Sequence, residues 1–255
     1  MKLTTFGILA TAMSLVNGNP LARRNGTSCA SNRPPVNYGA ILFPGLDMVD
    51  VYGPLDILQL LSLSQHLNLH LIAATLDPVV TGIVDPLNPT LNKANSSFYP
   101  TIAPTATFAD DVNLDVLIVP GGPGARAAGG EDVVEYVKRT YPKVKYLITI
   151  CTGTAFAARA GILDGKRATT NKRAWDVIRA YGPKVKWVAP ARYVVDGNIW
   201  SSSGVTASLD LMYAFVAEKY DAAVSTRIAN TMEHTPLAAD DDVFSEIWGV
   251  APTGN

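Results

Sequence analysis

The sequence predicts one α/β domain in which a mostly parallel central sheet is covered by helices on both faces. Two short, largely apolar runs, at 114–119 and 146–150, have the composition of strands buried on both faces. Strand-like runs also alternate with helical segments along the chain, which favours parallel pairing. The 255 residues are 48% hydrophobic, which is enough for one sizeable core, and no linker-like segment divides them.

The first half of the chain predicts one long apolar helix among three strands, with a loop-rich stretch before the third strand. In order, the sequence predicts a strand at 36–43, a turn at Pro44-Gly45, a helix at about 49–63, a strand at 67–74, short strands and loops at 77–108, and a strand at 114–119 that ends in the turn 120–124.

The second half continues the alternation and ends in two helices. The predicted order is a helix at 131–141, a strand that leads into Cys151, helices to 160 and at 172–181, strands at 185–188 and 192–195, a hairpin turn at 196–198 into 199–200, and helices at 206–219 and 221–231. In such sheets ligands bind at the carboxyl ends of the strands. We therefore expect Pro44-Gly45, Gly121-Gly122 and Cys151 to lie together.

Cys151 stands where a buried strand changes directly into a helix of small residues. The residues Thr152, Gly153 and Thr154 allow a sharp turn, which is typical of a nucleophile elbow. This position predicts a sulfur at the positive end of a helix, with a lowered thiol pKa and a nucleophilic thiolate. From this segment alone, a buried structural cysteine is an equal alternative.

Three further residues complete a candidate site with Cys151 and Thr152. Asp50 lies at the apolar start of the first helix, where a carboxylate needs a partner; helix capping is the alternative, and Asp47 is better placed for it. Gly121 and Gly122 offer backbone N–H groups that no side chain crowds, as an oxyanion pocket requires. Thr152 adds its own N–H and a hydroxyl.

Four motifs, in this order and spacing, resemble the ThiJ/PfpI superfamily of class I glutamine amidotransferase-like proteins. They are FPGLDMVDVYGPLDIL, LDVLIVPGGPGA, ITICTGTAFAARAGILDGKRATTN and SSSGVTASLDL, within residues 37–230. The pattern is most similar to isocyanide hydratases and to the sensor domains of certain AraC-type regulators. The resemblance implies a Rossmann-like, flavodoxin-like sandwich, usually a homodimer, with Cys151 at the elbow and Asp50 beside it.

The histidines argue against two branches of that superfamily. Protease-like and glyoxalase-like members place a histidine after the elbow cysteine or within the segment 168–171, where this chain has Thr152 and Asn171. We expect surface or structural roles for His66, His70 and His234. Without a histidine base, acyl transfer loses its proton shuttle. Hydratase members often carry histidine at the place of Asn171, so this chain also departs from that branch.

The resemblance favours a hydratase that converts an isocyanide to an N-substituted formamide, with neither cofactor nor metal. Cys151 would add to the isocyanide carbon, Asp50 would handle protons, and Thr170 and Asn171 would join the two glycines in binding substrate. The alternative is a noncatalytic binding module of the same fold, or a redox sensor in which Cys151 is oxidised. Further pocket residues are predicted at Tyr52, Ile83, Pro123, Trp200 and the turn 201–204.

The start of the chain predicts secretion. Residues 1–18 have the pattern of a signal peptide. Residues 19–24 end in Arg23-Arg24, the dibasic pair at which a Kex2-like protease of fungi would remove a propeptide. A polar tail at 25–36 then precedes a domain at 37–255. The sequons at Asn25 and Asn95 would then be glycosylation acceptors. Cys29 and Cys151 are too few for a disulfide framework.

Charge and hydropathy exclude other classes of partner. The formal net charge is −1, and no basic stripe invites nucleic acid. The apolar stretch of the signal is too short to span a bilayer. The acidic run at 240–242 is expected to be a solvated surface feature. The predicted partners are therefore a small-molecule substrate and a second copy of the chain, with no nucleic acid and no membrane.

Overall fold

The structure is a computed structural model that describes residues 33–82, 92–127 and 129–253. The predicted signal peptide and propeptide lie outside the described residues, as do Asn25, Cys29 and Ile83. The strands are β1 (Asn37–Ile41), β2 (Asn68–Ala73), β3 (Val79–Val80), β4 (Thr101–Ile102), β5 (Ala106–Thr107), β6 (Val116–Val119), β7 (Tyr146–Ile150), β8 (Arg167–Ala168), β9 (Lys186–Trp187), β10 (Tyr193–Asp196) and β11 (Ile199–Ser202).

The helices are close to the predicted ones, apart from a short helix near the end of the chain. They are α1 (Met48–Ser62), α2 (Glu131–Thr140), α3 (Thr154–Arg159), α4 (Trp175–Tyr181), α5 (Ala207–Lys219), α6 (Ala222–Thr231) and α7 (Phe244–Ile247). No helix in the described part of the chain is long and apolar enough to cross a bilayer.

The central sheet has seven strands in the order β10-β11-β7-β6-β1-β2-β5. All neighbouring pairs in it are parallel except the hairpin of β10 and β11. Strand β6 is buried at every position, and β7 at all but its first. Helix α1 packs against α5 and α6, while α2 packs against α3 and α3 against α4. The predicted α/β sandwich is thereby confirmed.

The turn before α1 places Asp47 and Asp50 at the start of one helix. Asp47 is the N-cap, and its side chain accepts a hydrogen bond from Val49 N at 3.0 Å. Asp47 N also donates to Gly121 O at 2.9 Å, so the start of α1 is joined to the turn that follows β6. Capping by Asp47 frees Asp50 for another role, as expected from its position.

The prediction for the acidic run is wrong at Asp242. Its side chain is only 1% exposed and lies 3.3 Å from Lys172 Nζ, in an ion pair that is buried on both sides. Asp242 also accepts hydrogen bonds from Ala191 N and Ser245 Oγ. A run of acidic residues does not predict that one of them pairs with a buried lysine 70 residues earlier in the sequence.

Candidate active site

The backbone at Cys151 makes the sharp strand-to-helix turn that the sequence predicts. Cys151 follows β7 with φ of 55°, in the left-handed region that residues with a side chain rarely adopt. A single 3₁₀ turn, Cys151–Gly153, leads into α3. A Cβ on Gly153 would lie 2.3 Å from Pro120 O, so only glycine fits there. The elbow leaves Cys151 only 5% exposed.

Two threonine hydroxyls hold the elbow by its carbonyl. Cys151 O accepts hydrogen bonds from Thr170 Oγ1 at 2.8 Å and from Thr154 Oγ1 at 3.2 Å. A strained φ persists only where the surroundings fix it, and these bonds do so. The buried hydroxyl of Thr170 is therefore bound to the backbone, which differs from its predicted contact with substrate.

Asp50 is fully buried at the first turn of α1. Its Oδ2 accepts a hydrogen bond from Gly121 N at 2.9 Å, and its Oδ1 has no hydrogen-bond partner among the described residues. Burial, and then the negative charge of Asp47, raises the pKa of Asp50 to about 7, although hydrogen bonds from Gly121 N–H and the Cys151 thiol oppose this shift. Asp50 is thus a carboxyl that titrates near neutrality beside a thiol.

The amides of Gly121 and Gly122 are both engaged by side chains. Gly122 N donates to Thr152 Oγ1, and Thr152 Oγ1 donates to Gly122 O, each at 2.9 Å. Gly121 N is bound to Asp50. The predicted oxyanion pocket is therefore corrected: both N–H groups orient Asp50 and Thr152 and are not free for a ligand. A Cβ on Gly121 would lie 2.6 Å from Thr152 N, so glycine permits the close approach.

The thiol is harder to ionise than its place at the elbow predicts. Burial, and then the charge of Asp50, raises the pKa of Cys151, while Thr152 N–H and the side chain of Asn171 lower it. Helix α3 begins three residues after Cys151 and contains only six residues. Its dipole therefore offsets little of the increase in thiol pKa that burial causes. The site therefore pairs a neutral thiol with a nearby base.

Asn171 is a site residue whose side chain acts on the Cys151 thiol. Its Oδ1 accepts from Ala174 N at 3.1 Å, and its side chain lowers the pKa of Cys151. The predicted turn at 201–204 is wrong in its first half, because β11 extends to Ser202, but Gly204 after the strand approaches the Asn171 amide.

The remaining predicted pocket residues differ in burial and surroundings. Pro123 opens a 3₁₀ turn directly after Gly122. Tyr52 is on α1 and is 49% exposed. Trp200 was predicted to line the pocket but is buried in the core, where its ring packs edge-on against Phe215. The sequence pattern predicts that Trp200 lies in a strand, but it does not predict whether the ring points into the core or into the pocket.

The histidines lie away from the thiol, as predicted. His66 is exposed after α1, and His70 is half-buried on β2. His234 Nε2 lies 3.3 Å from Asp210 Oδ1, and its ring stacks on Tyr213. None of the three contributes a charge or a hydrogen bond to Cys151 or Asp50. In the described part of the chain, no group of three or more potential ligand side chains could hold a metal ion.

Lys172 is a buried residue beside the site that the sequence reasoning missed. Its Nζ donates to Thr169 Oγ1 at 2.9 Å and to Ala191 O at 2.8 Å, and it faces Asp242. Burial lowers the pKa of Lys172, although Asp242 opposes the shift. The only signal in the sequence is a lysine directly after the small polar run ATTN. Lys172 therefore joins the segment that holds the elbow to the end of the chain.

Comparisons of the whole sequence with known proteins give several matches. The sequence model of the DJ-1/PfpI family matches residues 40–218. An isonitrile hydratase from Pseudomonas putida is 30% identical over 208 residues, which are 81% of this chain and 82% of that protein. Deglycase PfpI from Pyrococcus furiosus is 34% identical over 113 residues, or 43% of this chain and 64% of the deglycase.

Two further matches extend the range of relatives. The HTH-type transcriptional regulator GbdR from Pseudomonas aeruginosa is 26% identical over 143 residues, which are 55% of this chain and 38% of the regulator. A crystal structure of a ThiJ/PfpI family protein from Pseudomonas syringae superimposes with a TM-score of 0.65 and 25% identity, over 86% of this chain and 84% of that chain.

Proposed function

Because this chain belongs to the DJ-1/PfpI family, we propose that it hydrates isocyanides to N-substituted formamides through a covalent bond to Cys151. The observation that carries the proposal is the buried pair of the Cys151 thiol and the Asp50 carboxyl, with no histidine beside it. The match to an isonitrile hydratase over about four-fifths of both chains supports the same chemistry. Isonitrile and isocyanide are two names for one functional group.

In the first step, Cys151 Sγ bonds to the terminal carbon of the isocyanide. The raised pKa of the thiol means that its proton must pass to a base as the sulfur attacks. Asp50 is that base, because its Oδ1 is buried and unpaired among the described residues and its pKa of about 7 allows both protonation states at neutral pH. Asp50 then gives the proton to the same carbon, which yields a thioimidate on Cys151.

In the second step, water adds to the thioimidate carbon. One water proton passes through Asp50 to the nitrogen, and the other returns to the sulfur as the carbonyl forms and the C–S bond breaks. The sum is one isocyanide and one water in, and one formamide out. We assign Thr152 N–H and the Asn171 amide, the donors beside the sulfur, to orienting the bound intermediate.

The test is turnover of aryl and alkyl isocyanides by purified protein, with formamide measured by mass spectrometry. We expect Cys151→Ser to abolish turnover, since a hydroxyl is a far poorer nucleophile. Asp50→Asn should slow it by roughly a hundred- to ten-thousand-fold. Asp56→Asn, an exposed change on the same helix, is the matched control and should have no effect. Turnover that survives Cys151→Ser overturns the proposal.

A noncatalytic binding module is the second candidate, and the raised pKa of Cys151 favours it. The similarity to regulators such as GbdR also supports it. This candidate predicts that an isocyanide, a dicarbonyl or another small molecule raises the melting temperature without product or a mass change on Cys151. Formamide production by wild-type protein but not by Cys151→Ser excludes it.

A further inference from the structure

Asp47 places a second carboxylate one helical turn before Asp50. Side chains three residues apart share one face of a helix and lie close together. The Asp47 side chain is also fixed, because its Oδ1 caps α1 through Val49 N at 3.0 Å. None of the ion pairs among the described residues includes Asp47 or Asp50, so no cation in that part of the chain neutralises either of them by direct contact.

The peptide group of Gly121 holds the backbone of Asp47 and the carboxylate of Asp50 in place. Gly121 O accepts from Asp47 N, and Gly121 N donates to Asp50 Oδ2, each at 2.9 Å. Gly122 is packed so tightly here that a Cβ on it would lie 2.5 Å from Asp47 N. The separation of the two charges is therefore set by the backbone and by short hydrogen bonds.

We propose that Asp47 is a positioning residue whose fixed negative charge sets the pH at which Asp50 becomes available as the base for Cys151. This inference deepens the proposed function and rests on it. A like charge nearby disfavours ionisation, and Asp47 accordingly raises the pKa of both Asp50 and Cys151, after burial in the first case and after burial and Asp50 in the second.

The groups that face Asp50 are few. Its own helix contributes Asp47, the elbow contributes the Cys151 thiol, and the turn after β6 contributes only the N–H of Gly121. Helix α5, which packs on α1, contributes no charge that acts on Asp50. Removal of the Asp47 charge should therefore appear directly in the titration of the pair.

Two substitutions separate the charge of Asp47 from its capping bond. Asp47→Asn keeps a good N-cap and removes the charge, whereas Asp47→Glu keeps the charge and weakens the cap. The measurement is the rate at which iodoacetamide alkylates Cys151 as a function of pH, followed by mass spectrometry of the peptide that contains it. A Cys29→Ser background removes the second thiol, and Asp56→Asn controls for loss of a remote charge on α1.

We expect Asp47→Asn to move the midpoint of the alkylation profile to lower pH by about one unit, because the base ionises more easily without a like charge beside it. Asp47→Glu and Asp56→Asn should keep the wild-type midpoint. An unchanged midpoint in Asp47→Asn, or an equal shift in Asp47→Glu, overturns the inference. A shift in Asp47→Asn without hydration of any isocyanide supports the role of Asp47 and counts against the proposed function alone.

Discussion

The Thr152 side chain hydrogen-bonds to the backbone of the turn that follows β6. Its hydroxyl both accepts from Gly122 N and donates to Gly122 O. Gly122 has φ of 134°, a backbone conformation that favours glycine. Gly122 can therefore bond to Thr152 without backbone strain. The end of β6 is thereby tied to the elbow after β7. The hydroxyl supports the site, while the N–H of Thr152 lowers the pKa of the Cys151 thiol.

Replacing Thr152 by valine should destabilise the fold, because both the N–H and the C=O of Gly122 would lose their buried partner. We expect a loss of about 1–3 kcal/mol in the free energy of unfolding, measured by urea denaturation. Thr152→Ser is the matched control, since it keeps the hydroxyl and removes only a methyl group. Equal stability of the valine variant and the wild type would contradict the bonding assigned to Thr152.

Ionisation of Asp50 should lower the stability of the native state. Its pKa is about 7 when folded, against 3.8 in the unfolded reference, so its contribution is complete below pH 4 and is lost as the pH rises through 7. Asp50→Asn should match the wild type at pH 4 and become more stable toward pH 8. At roughly 1.4 kcal/mol per pKa unit, we expect a gain of up to about 4 kcal/mol, and a difference that does not depend on pH would contradict it.

At the scale of elements, the sequence predicts best where a single local pattern decides the structure. Strands β6 and β7 are apolar enough to be predicted from their own residues. The turn between β10 and β11 is likewise predicted by Gly197, whose φ is 64°. Helix α7 was missed because four residues carry no periodicity. The partners of the Gly121 and Gly122 amides could not be predicted, since Asp50 and Thr152 reach them from distant segments.

The segment after α6 is joined to the site through one buried ion pair. Lys172 lies in the stretch that holds the elbow, and Asp242 belongs to the segment before α7. Asp242→Asn would leave a buried ammonium without its counter-charge, so we expect a loss of about 3–5 kcal/mol in unfolding free energy. The exposed neighbour Asp241 provides the control, because Asp241→Asn should change stability by no more than about 0.5 kcal/mol. Thermal or urea denaturation that shows equal effects of the two variants would contradict the pairing.

At the scale of the whole molecule, the start of α1 joins the site to an exposed apolar surface. Met48, Val49 and Tyr52 are 37%, 44% and 49% exposed on the two turns that carry Asp50. Grouped apolar side chains on a surface are typical of an interface with another protein. The homodimer that the resemblance implies remains a prediction, and this surface is where we propose that the two copies meet.

Sedimentation velocity at micromolar concentration should therefore find a particle of twice the chain mass. Tyr52→Glu should shift it toward the monomer, because the interface would then have to bury a charge without a partner. Leu63→Glu is the matched control: Leu63 caps the opposite end of α1 and is 81% exposed, so the same new charge there should leave the dimer intact. A monomeric wild type would contradict the dimer, and dissociation by Leu63→Glu alone would place the interface elsewhere.

Since α1 carries Asp50, loss of the dimer in Tyr52→Glu should also lower isocyanide turnover at low protein concentration.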